Sequence, residues 1–407
     1  MNRQNCVFTL FALLALLCPV RVVGAAPNPM VHRDGMQVVD GAGRPIHLRG
    51  VNLSGWYQWE GFMWGKGIFT SYGDILSRLE RLLGPDGARA FQARVYAEFI
   101  TEEDFAKIAA LGFNSVRILV NRRLLADDAA PDTYLDSGWA ALDRTLSLCA
   151  KYRLYAVIDL HAVPGGQSMI STSDPQGRAA LVWNSEDSRA RTVALWRAIA
   201  RRYADNRTVA AYDLINEPLP DKGEDLVALY RRIVDAIRAV DKQHMIMLEG
   251  GKLATDFSMF DRPLDPNQIY SFHMYTWFGD NRAKKLDEYR AAAESQRVPF
   301  WAGEFGENTY DMIGSTLGMY ENADFVAGWS YFPWKRAPTK YPGLATFTVP
   351  KDWEKVMNWI ASAFAFRPGD AVARQGIDEF FQAVALKNCQ VDRRTATLLI
   401  PPRAAGK

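Results

Sequence analysis

Cysteine is scarce in this sequence: there are four in 407 residues, and two of them, Cys6 and Cys18, fall within the first 26. A fold framed by disulfides is excluded, since only Cys149 and Cys389 remain to form one bridge. That bridge stays open as an alternative. An oxidising compartment favours it, whereas Cys149 lies on the apolar helix face LSLCAKY, where a buried free thiol is ordinary. Metal-ligand patterns are missing too. The five histidines are scattered and neither HExxH nor CxxC occurs, so no metal and no cofactor are expected. Past residue 26 no stretch approaches about 18 uninterrupted apolar residues, which rules out a helical membrane span there. Low-complexity runs, linkers and internal repeats are likewise absent. The composition, 48% hydrophobic, 23% charged and 12% aromatic, is that of a globular chain long enough for a sizeable core.

The N-terminus is a separate matter. Arg3 precedes an apolar run from Cys6 to Cys18, and small residues follow at Gly24, Ala25 and Ala26. This is the pattern of a secretory signal over residues 1–26, with the mature chain beginning near Ala26 or Pro27 in an extracellular or periplasmic setting. Its removal takes away two arginines and no acid, leaving 46 basic against 46 acidic residues. So balanced a charge argues against nucleic acid as a partner. The processed chain is expected to act off the membrane, as a monomer.

The rest of the chain alternates between strand and helix patterns. MQVVDGAGRPIHLR, residues 36–49, reads as a hairpin able to plug one end of a barrel, and its second arm runs into a first barrel strand ending near Asn52. An unusually long connection follows, with helical stretches within Asp74–Leu83 and Ala88–Phe99, before Thr101 and Asp104 form a capping box for EEDFAKIAALG. Then come FNSVRILV, LYAVIDLH, AAYDLINEP, HMIMLEG, IYSFHMY, VPFWAGEFG and VAGWSYF, each an apolar run of strand length. Helical patterns near 137–152, 188–203, 225–240, 283–295 and 309–320 separate most of them. Eight such units over roughly 300 residues fit an α/β fold of the (β/α)₈ barrel type better than an open doubly wound sheet. Residues 27–390 are read as one catalytic domain, with a further helix over 371–385 and a disordered tail over 391–407.

Two of these strands end on a carboxylate. In AYDLINEPLP, Pro218 and Pro220 stop both ladder and helix, so Glu217 is expected at the C-terminal lip of the fourth strand, where barrel proteins carry their catalytic groups. VPFWAGEFGE puts Glu304 in the same setting on the seventh strand, between Gly303 and Gly306. Strands four and seven face each other across a barrel mouth. Two glutamates converging there suggest glycoside hydrolysis, in which one protonates the leaving oxygen and the other attacks the anomeric carbon or activates water.

From about Arg49 to Trp334 the chain resembles glycoside hydrolase family 5, the cellulase-like barrels of clan A. The matching motifs are Asn216-Glu217-Pro218, GEFG around Glu304, Arg117 in VRI, His161 in DLH, His273 and Tyr275 in HMY, and Trp334 in FPW. The resemblance implies Glu217 as acid/base with a raised pKa, Glu304 as ionised nucleophile, and retention through a glycosyl-enzyme with carboxyls about 5–5.5 Å apart. Asn216 is suited to a sugar 2-hydroxyl, while Tyr275 and Arg117 are suited to hold Glu304 charged. His161 and His273 read either as contacts to sugar or carboxylate, or as hydrogen-bonded structural histidines. Trp56, Trp59, Trp64, Trp277 and Trp334 are expected on the catalytic face, where aromatic rings stack on pyranoses, and Trp334 matches the family's subsite tryptophan.

Within the family, RGVNLSGWYQWEG and DLHAVPGGQS are most similar to exo-β-1,3-glucanases, which makes Glu60 the candidate for gripping a terminal glucose. Ser168-Met169 stand where that subgroup prefers Asn-Gly. The expected substrate is a β-glucan with β-1,3 or β-1,4 linkages. A β-mannan or an exopolysaccharide of the producing cell is the alternative, and a non-catalytic carbohydrate-binding barrel is a more distant one.

Overall fold

A computed structural model describes residues 30–401, apart from 129, 176, 178, 278 and 342. The leader expected over residues 1–26 and the end of the tail, 402–407, lie outside the described residues. Eight parallel strands close a barrel in sequential order: β1 (Leu48–Asn52), β2 (Ser115–Asn121), β3 (Tyr155–Ala162), β4 (Val209–Asp213), β5 (Met245–Glu249), β6 (Gln268–Met274), β7 (Phe300–Gly306) and β8 (Val326–Phe332). β8 pairs back onto β1, with Gly328 opposite Leu48. The expected (β/α)₈ barrel is therefore present. Strands covered on both faces need no polar alternation, which is why they read as continuous apolar runs.

Among the described residues ten helices of seven residues or more accompany them: α1 (Tyr72–Arg94), α2 (Glu102–Ala110), α3 (Asp136–Lys151), α4 (Glu186–Tyr203), α5 (Gly223–Arg238), α6 (Arg282–Gln296), α7 (Tyr310–Glu321), α8 (Lys351–Ala361), α9 (Asp370–Val384) and α10 (Arg393–Leu399). The two helical stretches expected in the first connection are halves of α1, which breaks at Gly84 (φ 75°) just before Pro85, and a π-helical turn over Val95–Phe99 extends it. The α2 capping box forms as expected, with the Thr101 N–H donating to Asp104 Oδ2 at 2.8 Å. Two expectations need correction. α8 went unread, and the tail is not disordered at its start: Asp392 caps α10 by accepting from the N–H groups of Arg394 and Thr395.

The N-terminal hairpin pairs His32–Asp34 with Gln37–Val39, one strand earlier than expected, and the Gly-rich turn closes only through a single bridge from Val39 to Pro45. It does plug the barrel. Val31 and Val38 pack with Leu48, Val157, Ala211, Met245, Met247, Ile269 and Trp301 in a core of their own inside the strands. Each Val, Leu, Ile or Met side chain among them contributes about 1.5–3 kcal/mol by leaving water. The hairpin thus closes the bottom of the barrel with an apolar cluster, and the buried charged side chains around Arg117 gather toward the opposite end.

A second apolar region lies under the long first connection. Trp64 and Phe91 meet Trp353 of α8 and Phe380 of α9 through ring contacts of 5.7–6.3 Å, and Trp59 packs edge-on against Phe91 at 5.8 Å. Here the aromatic expectation fails: Trp56, Trp59 and Trp64 are buried, and each donates its indole N–H to a backbone carbonyl, of Tyr96, Trp56 and Gly55 respectively. They hold the connection and the C-terminal helices against the barrel. Cys149 and Cys389 are both free thiols, which resolves the open alternative.

Candidate active site

The C-terminal ends of the strands bring charged side chains into a buried lattice around Arg117 of β2. Its Nε donates to Asp213 at the end of β4 (3.0 Å), and its Nη2 donates to Glu249 at the end of β5 (2.9 Å) and to Asn216 Oδ1 (2.9 Å). The same Nη2 lies 3.2 Å from Asp159 of β3. Its Nη1 donates to Glu304 Oε1 at 2.7 Å and to Asn52 Oδ1 at 3.2 Å. Burial opposes the guanidinium charge, but the four carboxylates more than offset it and hold the group well above its ordinary value. Asp159, Asp213 and Glu249 stand close enough together for a cation, and the guanidinium is the cation they share.

Glu304 lies within β7 and also accepts from Tyr275 Oη at 2.9 Å. Burial pushes its carboxyl upward, but the charges of His273 and Arg117 prevail, so its pKa lies below the ordinary value. Glu217 behaves in the opposite way. Desolvation raises it, the hydrogen bond to His273 opposes, the charge of Glu304 adds to the rise, and the net shift is upward.

His273, at the end of β6, stands between the two glutamates. Its Nδ1 donates to Glu217 Oε1 at 2.9 Å and lies 3.8 Å from Glu304 Oε2. The Glu217, His273 and Glu304 polar atoms fall within 4.8 Å of one another. Burial disfavours the imidazolium, but Glu249 and Glu304 stabilise it well above its usual range. Gly303 leaves room for this ring, since a Cβ there would come within 3.0 Å of His273 Nε2 and 2.5 Å of Ser271 Oγ.

The backbone geometry at Glu217 differs from expectation. β4 ends at Asp213, four residues earlier, and Glu217 stands on the following turn with φ at 44°. Gln167 fastens that turn to β3 by donating from Nε2 to the carbonyls of His161 and Asn216, at 2.7 and 2.8 Å. His161 donates from Nδ1 to Asp159 at 2.7 Å, and its Nε2 faces Glu60 at 3.8 Å. Burial opposes its charge, yet Asp159 and Glu60 raise its pKa to about 10. Glu60 is itself buried and shifted upward by desolvation, with Oε2 unpartnered among the described residues.

Arg117, His161, Asn216, Glu217, His273, Tyr275, Glu304 and Glu60 thus share one region. Trp334 does not. Its side chain is 0% exposed, and its Nε1 donates to Asp104 Oδ1 at 2.8 Å, an acid that also pairs with the buried Lys335 at 2.7 Å. The correction has a physical reason: α2 and the end of β8 need this contact to bury Asp104 and Lys335. An accessible ring beside the site is Trp277, 49% exposed and stacked on Tyr275 at 4.2 Å. Asp159, Asp213, Glu249 and Asn52 were missed as site residues. Asn52, Asp213 and Glu249 are polar side chains ending apolar strands and Asp159 is one within a strand, a signal carried by RGVN, YDL, MLEG and DLH.

A closed barrel bearing two opposed glutamates at one mouth belongs to the class of barrel glycoside hydrolases. Residues 84–335 match the model of the cellulase family, glycosyl hydrolase family 5. The chain belongs to that family. It is 32% identical over 290 residues to a β-xylosidase of Phanerodontia chrysosporium, covering 67% of this chain and 60% of that protein. It is 33% identical over 290 residues to a probable glucan 1,3-β-glucosidase A of Aspergillus fumigatus, covering 69% of this chain and 67% of that protein. The chain therefore spans less than two thirds of the β-xylosidase's length. The barrel also superposes on the β-glucanase SdGluc5_26A of Saccharophagus degradans with a TM-score of 0.53 at 18% identity, covering 88% and 93% of the two chains. Among the described residues no helix is long and apolar enough to cross a membrane.

Proposed function

We propose that the protein is a secreted retaining β-glycosidase that cleaves β-1,3- or β-1,4-glucosidic bonds of a β-glucan by double displacement. The observation that carries this reading is the pair Glu217 and Glu304, set on either side of His273 with pKa values displaced in opposite directions. Glu217, held protonated, gives its proton to the departing glycosidic oxygen while a Glu304 oxygen bonds to the anomeric carbon and the C–O bond breaks. Water then loses a proton to Glu217 as its oxygen attacks the same carbon and releases Glu304. Carboxylate oxygens within 4.8 Å support direct attack by Glu304, because an interposed water needs the wider spacing of about 6.5–9.5 Å.

Arg117 and Tyr275 keep Glu304 ionised and aimed. Asn216 Nδ2 and Glu60 Oε2, both without a partner among the described residues, suit sugar hydroxyls. The exposed face of Trp277 suits the C–H side of a pyranose. The glucan 1,3-β-glucosidase relatives favour glucan, and the β-xylosidase relative makes a β-xyloside the second substrate to assay.

The deciding experiment is Glu304→Gln, expected to lower kcat by at least about 10³-fold with the fold intact. Near-normal turnover by that variant sinks the reading. Following the first-formed anomer by NMR checks retention, and an initial α-product from a β-linkage refutes it. Sizing the products from β-1,3-glucan, β-1,4-glucan and mannan separates the substrates. Residues 1–26 are proposed to direct export, which a mature N-terminus at Ala26 or Pro27 in the exported protein would bear out.

A further inference from the structure

Glu249 is wholly buried at the end of β5, and the hydrogen-bonding partners of its carboxylate lead to the paired glutamates. Oε2 accepts the backbone N–H of Glu217 at 2.6 Å. Oε1 accepts from Arg117 Nη2 at 2.9 Å and lies 3.3 Å from His273 Nε2. Arg117 in turn holds Glu304, and His273 holds Glu217. The carboxylates of Asp159 and Asp213 also meet Arg117, but among the described residues only the Glu249 side chain accepts the N–H of Glu217.

The Glu217 peptide needs such a tether. Its φ of 44° lies in the left-handed region that residues with a side chain avoid, and Pro218 follows, which disfavours compact conformations at the residue before it. A backbone held in that state requires its surroundings to over-determine it. A buried anion receiving the N–H at 2.6 Å does so, and it is anchored in turn by two cationic side chains. Tyr230 donates to the carbonyl of Glu249 at 3.0 Å and fixes the strand end from behind.

Resting on the reading of Glu217 as proton donor and Glu304 as nucleophile, we propose that Glu249 is a positioning residue for proton transfer. It touches no reacting atom. It holds the Glu217 peptide so that the carboxyl meets the leaving oxygen and steadies His273 beside it, whereas Arg117, paired also with Asp159, Asp213 and Glu304, keeps its place without Glu249. Its loss should then penalise bond cleavage in proportion to how much the leaving group needs a proton. A residue that merely stabilises the fold would lower all substrates alike.

The test is a series of aryl β-glucosides, from 2,4-dinitrophenyl, which departs without a proton, to unsubstituted phenyl, which needs one. Wild type, E249Q, E249D and E217A are compared by kcat/KM, with the thermal midpoint of each measured. The amide of E249Q can accept from the Glu217 N–H or from Arg117, but not from both. The expected result for E249Q is a loss of about 10²-fold on the phenyl glucoside, nearly wild-type rates on the dinitrophenyl glucoside, and a steeper dependence on leaving-group acidity. E249D keeps the charge at shorter reach and is read in the same way should E249Q not fold. A deficit of equal size across the series, or none, overturns the proposal. E217A separates the two failures: a steep profile with E217A and a flat one with the Glu249 variant sinks only the positioning role. A flat profile with E217A, or wild type releasing no phenol from any member, sinks the catalytic reading as well.

Discussion

At the scale of single residues, His273 is the side chain on which both halves of the proposed chemistry depend. Its charge is stabilised by Glu249 and Glu304, and it lowers Glu304 while donating to Glu217. Glu304 must be ionised, so activity is present above its pKa and lost as the pH falls through a value below the ordinary glutamate figure of about 4.3. Glu217 must be protonated, so activity is present below its pKa and lost as the pH rises through a value above that figure. The expected kcat/KM profile is a bell whose limbs straddle the ordinary glutamate range. Glu217→Gln should cost on the order of 10²–10⁴-fold on unactivated substrates and erase the alkaline limb. An alkaline limb that survives in this variant belongs to another group. Gly303→Ala probes the same ring sterically. Its Cβ would meet Ser271 Oγ at 2.5 Å and His273 Nε2 at 3.0 Å, so the ring must yield slightly, and kcat should fall by about 10-fold while the far-UV spectrum stays unchanged.

At the scale of elements, the strand ends were the most legible part of the chain. A carboxylate or histidine terminating an apolar run has few places to go in a barrel, and Glu217, Glu304, His161 and His273 were all readable on that ground. Trp334 was not, because a residue's position along a strand does not tell whether its ring turns to the cleft or to the helices. Asp104 decides it. As the reciprocal partner in the α2 capping box it is fixed beneath β8, and a buried acid there needs both Lys335 and the Trp334 indole. A hydrogen bond to a charged group contributes about 1.5–3 kcal/mol, so Trp334→Phe should lower stability by roughly that amount in denaturant titration and leave KM for β-glucan oligosaccharides unchanged. A raised KM at unchanged stability would return Trp334 to the cleft.

At the scale of the whole molecule, the β-then-α period was visible because each unit is local, whereas the packing of the long first connection on α8 and α9 joins segments nearly 300 residues apart and leaves no local mark. The sequence therefore places the clustered tryptophans at the cleft, whereas they pack the first connection, with Trp64 welding it to the C-terminal helices. The cysteines show the same limit, since neither spacing nor composition tells whether two distant thiols meet. Cys149 is wholly buried on α3, its thiol pushed upward by desolvation, and Cys389 points at the carbonyls ending α9, with Sγ 3.6 Å from Val384 O. A bridge between them would close a very long loop, worth on the order of 5 kcal/mol, and its reduction would lower the thermal midpoint visibly. The free thiols lead to the opposite expectation. A reductant should leave the midpoint unchanged, and the denatured chain without residues 1–26 should titrate two thiols with a disulfide reagent. In the native protein Cys149 should react only on the timescale of unfolding, because desolvation disfavours its thiolate and the fold excludes the reagent. Finding no titratable thiol in the denatured, unreduced chain would mean that the two cysteines pair after all and that α3 and the segment after α9 move to meet.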